Sequence, residues 1–207
     1  MTIPALYKKH HVDKDHTSIG LFRALRKRFG NAKVFYPGSH VHITPSLIFS
    51  DVCYADSFRN THKFFEDEAT SAYINAAKEY PESASVRFFQ QDYNKPFAEL
   101  GEDFDLLISQ YAGFVGQATK PYLKRGGHLV CNNSHGDASM AAVDPDYALA
   151  AVYQRRSDEQ FTISDKDLDT YLVPKKGIAP TKAALLDLMR GVGYTRSPSG
   201  YIFRKVG

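Results

Sequence analysis

Tryptophan is absent from this chain of 207 residues, and cysteine occurs only twice, at Cys53 and Cys131. Both cysteines lie within apolar, strand-like runs, which favours buried thiols in a reducing compartment over a disulfide or a metal-binding pair. No apolar run approaches the roughly 18 residues of a membrane helix, and residues 1–16 lack the apolar core of a secretory signal. We therefore expect a cytoplasmic protein without a membrane partner.

A large excess of charge is also missing. The net charge is +3, which is too small to indicate a nucleic-acid-binding protein by itself. Basic residues are nevertheless concentrated before the first predicted strand, at Lys8, Lys9, Lys14, Arg23, Arg26, Lys27, Arg28 and Lys33. A solvated helix face explains this cluster, and a contact with RNA or DNA is the alternative. The histidines of this region, His10, His11 and His16, are expected to be solvated.

The length of the chain predicts a single domain, residues 1–207, with an arm over residues 1–15. Short apolar strands alternate with helices, which is typical of an α/β fold with a doubly wound, mostly parallel, Rossmann-like sheet. The predicted strands are 32–36, 52–55, 85–89, 104–109 and 128–132, followed by a C-terminal antiparallel hairpin of 192–195 and 201–205. The predicted helices are 17–29, 61–80, 116–123, 144–154 and 180–190, whereas 161–173 has no clear period.

The stretch from Val34 to Asp56 contains the clearest functional pattern. An apolar strand breaks at Pro37-Gly38, a polar crossover follows, and a second strand ends on Asp56. Ligands of open α/β sheets bind just outside the carboxyl ends of the strands. An acid about 20 residues after a glycine turn is placed to accept hydrogen bonds from two ribose hydroxyls. The pattern therefore predicts a nucleoside-containing ligand beside Asp56.

The order of the elements resembles the class I S-adenosylmethionine-dependent methyltransferases, whose sheet ends in an antiparallel hairpin. The resemblance covers residues 32–133 and 180–205. It implies S-adenosylmethionine as the cofactor, with the loop after strand one at the methionine part, the end of strand two at the ribose, and the end of strand three at the adenine. The loop after strand four lies beside the reacting methyl group. By position, the implied cofactor-binding residues are Tyr36, Gly38, Ser39, Asp56, Ser57, Asp92, Tyr93, Ser109 and Gln110. The flat rings of Phe58 and Tyr93 are candidates for packing on the purine, and ordinary core or surface packing is the alternative.

The loop after strand one departs from the family pattern. The family has an acid followed by three glycines at alternate positions, whereas this chain has Tyr36, Gly38, His40 and His42. The loss argues against a nicotinamide or flavin dinucleotide, because a pyrophosphate needs close approach of the backbone at several glycines. S-adenosylmethionine carries no phosphate, so one glycine can suffice. The alternative is a non-catalytic interaction protein that has kept the fold and lost the cofactor.

Candidate catalytic residues follow strands four and five. His135 is the predicted general base, with Asp137 orienting it, and Tyr111 lies in the loop at the methyl group. Alternatively, the loop from Asn132 to Asp137 only caps the helix that follows. No spacing supports a metal site formed by His40, His42 and His135, so none is predicted.

We expect methyl transfer from S-adenosylmethionine to a small molecule or to RNA bound through the basic N-terminal region. Residues 134–178 are the expected substrate-covering insertion, by analogy with methyltransferases. No Asn-Pro-Pro-Tyr run follows strand four, which disfavours the usual methylation of adenine or cytosine amines. Neither the acceptor nor the oligomeric state can be derived from the sequence.

Overall fold

The computed structural model describes residues 2–207 and has an α/β fold. Its helices are α1 (Ala5–His10), α2 (Ile19–Phe29), α3 (Pro45–Ile48), α4 (Thr61–Glu66), α5 (Glu68–Ala77), α6 (Val115–Ala118), α7 (Asp137–Ala142) and α8 (Lys182–Leu188). Its strands are β1 (Lys33–Pro37), β2 (Asp51–Ala55), β3 (Ser85–Phe89), β4 (Phe104–Ser109), β5 (Leu123–Cys131), β6 (Tyr147–Arg155), β7 (Phe161–Ser164) and β8 (Gly200–Lys205).

The described residues form two compact units. The first contains residues 2–95 and Arg155–Phe161, and the second contains Pro96–Gln154 and Thr162–Gly207. That the chain is one functional domain stays a prediction. The arm proposed for residues 1–15 contains α1 and a 3₁₀ turn at Val12–Lys14.

The eight strands are mostly parallel, which confirms the predicted fold class. In the first unit the strand order is β3-β2-β1, and both pairs are parallel. In the second unit β4 and β5 are parallel, whereas β8 is antiparallel to both β5 and β6. β1 and β2 are buried along almost their whole length, and both are therefore continuous apolar runs in the sequence.

Helix α2 follows directly from its pattern. Leu21, Phe22 and Leu25 are fully buried along one face, as their helical spacing predicts. The helix ends where Gly30 adopts a φ of 74°, a left-handed conformation that favours glycine.

The helix predicted over residues 144–154 is wrong, because most of this segment forms β6. Its alanines favour a helix by intrinsic propensity, but Tyr147 pairs with Lys205 and Val152 pairs with Tyr201 in the antiparallel ladder with β8. Sheet pairing and burial therefore override local propensity here.

The predicted terminal hairpin is correct in only one of its strands. Residues 200–205 form β8, but 192–195 contribute only an isolated bridge between Pro174 and Tyr194. The antiparallel neighbours of β8 are instead β5 and β6, which are distant in sequence. Such long-range pairing leaves no local signal in the sequence.

Two predicted helices are shorter than their patterns suggest. The helix expected over 61–80 divides at Asp67, whose carboxylate caps α5 by accepting a 2.9 Å hydrogen bond from Ala69 N. The helix expected over 116–123 is limited to α6 and a 3₁₀ turn at Lys120–Tyr122, and β5 begins at Leu123 instead of His128. Pro121 within this turn has no amide hydrogen to continue an α-helix.

Candidate functional site

The loop after β1 folds back onto the end of β2. Gly38 adopts a φ of 70° and donates a 2.7 Å hydrogen bond to the carbonyl of Ala55. Ser39 is buried and donates to the same carbonyl at 3.4 Å. Gly38 thus takes a left-handed conformation that glycine adopts without strain. His40 also has a positive φ, of 46°.

Asp56 follows β2 and is held by this loop. Its Oδ2 accepts a 2.7 Å hydrogen bond from the backbone N of His40, and its Oδ1 accepts one of 2.7 Å from Phe58 N. The residue is half-buried. Because each carboxylate oxygen has two lone pairs, both oxygens can still accept a hydroxyl. The carboxylate is thus oriented by the backbone and remains a competent acceptor.

The residues after Asp56 have exposed side chains, but hydrogen bonds hold their backbone in place. The Gln90 side chain donates to the carbonyls of Asp56 and Phe58 at 3.0 and 2.9 Å. Ser57 is exposed, and the Phe58 side chain is 64% exposed. The Phe58 ring meets the His40 ring edge to face, with 5.1 Å between centroids. An aromatic surface therefore lies next to the carboxylate.

His42, at a position where the methyltransferases that the sequence resembles have glycine, is packed inside the first unit. Its ring is 4% exposed, its Nε2 donates to the carbonyl of Thr17 at 2.9 Å, and the Tyr36 hydroxyl donates to its Nδ1 at 3.1 Å. Burial lowers the pKa of His42 to about 3. Both nitrogens of the neutral imidazole are therefore hydrogen-bonded. One of the two partners is the hydroxyl of Tyr36, which stands where the methyltransferases that the sequence resembles have an acid.

The histidines of the arm pack against the histidines of the loop. The His11 ring stacks on His42 with 4.2 Å between centroids and an interplanar angle of 11°, and the His10 ring meets His40 edge to face at 5.0 Å. Burial lowers the pKa of His11 to about 4 and also lowers the pKa of His10 and His40. The expectation of solvation is wrong for His11, which burial desolvates, whereas His10 is only partly covered and His16 is exposed.

The end of β3 carries Asp92 and Tyr93, both half-buried. Asp92 Oδ1 accepts hydrogen bonds from the backbone N of Asn94 at 2.9 Å and from its side-chain Nδ2 at 3.0 Å. This is a turn stabilised by its own aspartate. Contact of either residue with an adenine stays a prediction.

In the second unit, the loop after β4 presents Tyr111 to solvent. Ser109 and Gln110 are buried, and the Gln110 side chain donates to the Tyr153 hydroxyl at 3.3 Å. Tyr111 is 72% exposed and has a φ of 62°. A bulky residue in the left-handed region is strained, and such strain is concentrated at functional sites.

Asp137 begins α7 and is buried, with 3% exposure. Its Oδ2 accepts a 2.9 Å hydrogen bond from Gly116 N. Burial raises the pKa of Asp137 to about 6, while hydrogen bonds from the Ser109 hydroxyl and from Gly116 N oppose the rise. A Cβ at Gly116 would lie 2.7 Å from Leu129 and 3.0 Å from both carboxylate oxygens. No motif links residues 116 and 137, so this contact was not predictable from the sequence.

The predicted pair of His135 and Asp137 is not joined by a hydrogen bond. Asp137 faces Gly116, whereas His135 is exposed and its Nδ1 lies 3.0 Å from the Ser134 hydroxyl. Asn132 Oδ1 accepts from Ser134 N at 3.1 Å, and Asn133 Oδ1 accepts from Ser139 N at 3.0 Å. These bonds fit the alternative of a loop that caps α7. The catalytic roles of His135, Asp137 and Tyr111 stay predictions.

Part of the basic N-terminal cluster forms ion pairs and hydrogen bonds within the first unit. Arg23 is paired with Glu79 and Glu159, and Arg26 donates to the Asn31 side chain at 2.9 Å. These contacts favour the solvated helix face over a dedicated RNA-binding surface. RNA as a partner stays a prediction.

The two thiols are buried and form no disulfide. Burial raises the pKa of Cys53 to about 12 and raises that of Cys131. Within residues 2–207, no group of three histidine, cysteine or acidic side chains is arranged to hold a metal ion. None of the helices in the same range has the length and apolar character needed to cross a membrane.

Comparison with solved structures shows that the chain has the fold of the class I S-adenosylmethionine-dependent methyltransferases. The N-methyltransferase NodS of Bradyrhizobium japonicum, solved with S-adenosyl-L-homocysteine, is 9% identical and gives a TM-score of 0.53 over 99% of this chain and 92% of that one. The CcbJ methyltransferase of Streptomyces caelestis is 12% identical, with a TM-score of 0.48 over 100% of this chain and 97% of that one. No protein-family model and no curated protein matches the sequence.

Proposed function

We propose that this protein transfers a methyl group from S-adenosylmethionine to a small molecule, with RNA as the second choice of acceptor. The observation that carries the proposal is Asp56. It ends β2 in a methyltransferase fold, and backbone N–H groups of His40 and Phe58 orient its carboxylate. NodS, which has the same fold, was solved with S-adenosyl-L-homocysteine.

The residues present fit this cofactor at its adenosine end. Asp56 would accept the ribose hydroxyls, beside the exposed Ser57 and the aromatic surface of Phe58. Gly38 and Ser39 form the turn that packs on the end of β2, and Asp92 would accept from the adenine amino group. At the methionine end the fit is weaker, because Tyr36 supplies a hydroxyl already bonded to His42 in place of a carboxylate.

The bound cofactor would supply an activated methyl group, and the protein has mainly to hold and orient the acceptor. Positioning alone provides much of the acceleration of such a displacement. Ser109, Gln110 and Tyr111 are the residues proposed to position the acceptor. A base is required only for an acceptor that is protonated at neutral pH, and His135 would then remove its proton.

Calorimetric titration with S-adenosylhomocysteine tests the proposal. We expect saturable binding, weakened by about 1–3 kcal/mol in Asp56→Ala because the hydroxyl hydrogen bonds are lost. Asp51→Ala is the matched control. Asp51 lies at the opposite end of β2, where its Oδ1 is 3.6 Å from Arg87 and 3.5 Å from the Ser85 hydroxyl. Absence of heat with folded protein at millimolar ligand would remove the proposal.

The second candidate function is a non-catalytic binding protein. It is favoured by the packing of His10 and His11 against His40 and His42, which fills the surroundings of the loop after β1 with imidazole rings. Transfer of radioactive methyl groups from S-adenosylmethionine to any small-molecule or RNA fraction of a lysate would exclude it. The same assay distinguishes the two classes of acceptor.

A further inference from the structure

The second unit contains a cavity that the proposed methyl transfer does not use. It has a volume of about 580 Å³ and lies between residues 174–181, α8 and residues 190–193. This volume is within the range of small-molecule sites, roughly 300–1,000 Å³. All of its lining residues belong to the second unit.

The floor and one wall of this cavity are apolar. Leu185 is fully buried and anchors α8, whereas Leu188 and Ile178, which also line the cavity, are 50% and 77% exposed. Contact of such large apolar side chains with water is unfavourable, so covering them with an apolar ligand is favourable. The cavity therefore favours a ligand with an apolar body.

The charged groups at the cavity are all cationic. Lys175, Lys176 and Arg190 line it, and within residues 2–207 no acidic side chain does so. Asp187 lies on α8 but is not among the lining residues and is exposed. Three cations beside an apolar wall are complementary to an anionic head group, and Arg and Lys both bind carboxylates well.

Part of the cationic rim is hydrogen-bonded to another lining segment through its backbone. Lys175 N donates to the Gly193 carbonyl at 2.9 Å, and the Lys175 Cδ lies 3.5 Å from the position of a Cβ on Gly193. The lining residue Val192 is held by the loop after β5, because the Asn133 side chain donates to its carbonyl at 2.9 Å. Gly191 is packed so tightly on Asn133 that an added Cβ would lie 2.3 Å from Asn133 Oδ1. The shape of the cavity is thus set by hydrogen bonds and close packing.

We propose that this cavity binds a small apolar carboxylate, such as a medium-chain fatty acid. The chain of the ligand lies against Leu185 and Leu188, and its carboxylate pairs with Lys175, Lys176 and Arg190. The proposal is independent of whether the protein transfers methyl groups.

Calorimetric titration of the full chain with decanoate, below its micelle concentration, tests this site. Decanol and decyltrimethylammonium, which carry the same tail with a neutral or a positive head, are the matched ligands. We expect saturable binding of decanoate, with affinity at least about tenfold lower for the other two because charge-assisted hydrogen bonds are lost. Equal affinity for the three ligands, or no saturable binding of decanoate, would overturn the proposal.

Two pairs of variants locate the binding. Lys175→Gln/Lys176→Gln/Arg190→Gln should weaken the binding of decanoate about tenfold or more and leave that of decanol unchanged. Lys182→Gln, on α8 but outside the lining, should change neither. Ala184→Glu places a carboxylate in the cavity and should abolish binding, whereas Ala183→Glu, outside the lining, should not. Thr181 already caps Ala184 N at 3.2 Å, and a glutamate three residues after this cap is favourable, so the helix should remain folded.

Sedimentation of the same variants distinguishes a different occupant, a second copy of the chain. A dimer that Ala184→Glu dissociates, together with no decanoate binding, would overturn the proposal in favour of self-association. A monomer that binds decanoate in the wild type and not in Ala184→Glu supports it.

Discussion

Burial favours the uncharged form of a titratable group in both units, and it therefore shifts the pKa of a buried histidine and of a buried aspartate in opposite directions. In the first unit it lowers the pKa of His42 to about 3, so the imidazole is neutral and both ring nitrogens are hydrogen-bonded. In the second unit it raises the pKa of Asp137 to about 6, so the carboxyl group resists ionisation. His42 therefore stabilises the fold at neutral pH and not in acid, whereas Asp137 does the reverse.

This difference shows that a polar residue in a loop acquires its chemistry from its neighbours. Both residues follow buried strands and both are candidates for a functional site. His42 is enclosed by Tyr36, His11 and Thr17, and Asp137 by Gly116 and Ser109. By contrast, the half-buried Asp56 keeps access to solvent and is the better candidate for ligand binding.

The largest expected effect is the acid sensitivity caused by His42. Because its folded pKa lies below the unfolded value of 6.5, its stabilisation is complete above pH 6.5 and is lost as the pH falls toward 3. The shift corresponds to about 5 kcal/mol. His42→Gln should remove most of this pH dependence in urea unfolding between pH 7 and 4. The His42 protein and its His42→Gln variant are both measured with His11→Gln also present, because His11 stacks on His42 and titrates near pH 4. An unchanged slope would contradict the burial effect.

The next effect has the opposite sign and concerns Asp137. Its folded pKa of about 6 exceeds the unfolded value of 3.8, so the associated stability is complete below pH 3.8 and is lost as the pH rises through 6. The loss amounts to about 3 kcal/mol. In Asp137→Asn, the free energy of unfolding should fall less than in the wild type between pH 4 and 7. Parallel curves for the two proteins would show that Asp137 is not desolvated.

Gly116→Ala sharpens the account of the second unit. The added Cβ would lie 2.7 Å from Leu129 and 3.0 Å from the Asp137 carboxylate, so overpacking should destabilise the protein by about 1–3 kcal/mol. Gly101→Ala is the control, because a Cβ there meets no atom within 4 Å. Urea unfolding at pH 7 measures both, and equal effects would refute close packing at Gly116.

The smallest effect is expected at Tyr111. Its φ of 62° strains a bulky residue, so Tyr111→Asn should stabilise the protein by about 1 kcal/mol, because asparagine tolerates this conformation. If Tyr111 positions the acceptor, methyl transfer should fall in the same variant. A stabilised variant with full activity would leave Tyr111 without the predicted catalytic role.

Much of the fold could be predicted because its signals are local. Residues 85–89 and 104–109 are strands with the predicted bounds, because a short apolar run between polar residues is a local signal for a strand. The segment 144–154 was misassigned because its pairing partner is β8, about 50 residues away. Pairing at such a separation contributes nothing to a local pattern.

The candidate site was predictable at the strand ends and not in its packing. Gly38 and Asp56 lie where the glycine turn and the strand-end acid were expected. The stacking of His11 on His42 joins segments about 30 residues apart, and the cavity lined by Lys175 and Arg190 depends on how α8 docks. These features arise from tertiary contacts, so composition and spacing could not indicate them.

The most direct test of the cofactor assignment removes the ribose hydroxyls from the ligand instead of the carboxylate from the protein. Calorimetry would compare S-adenosylhomocysteine with its dideoxyribose analogue on the wild type and on Asp56→Ala. The account predicts that the analogue binds about 1–3 kcal/mol more weakly to the wild type and that Asp56→Ala does not distinguish the two ligands. Equal discrimination by both proteins would contradict the claim that Asp56 holds the ribose.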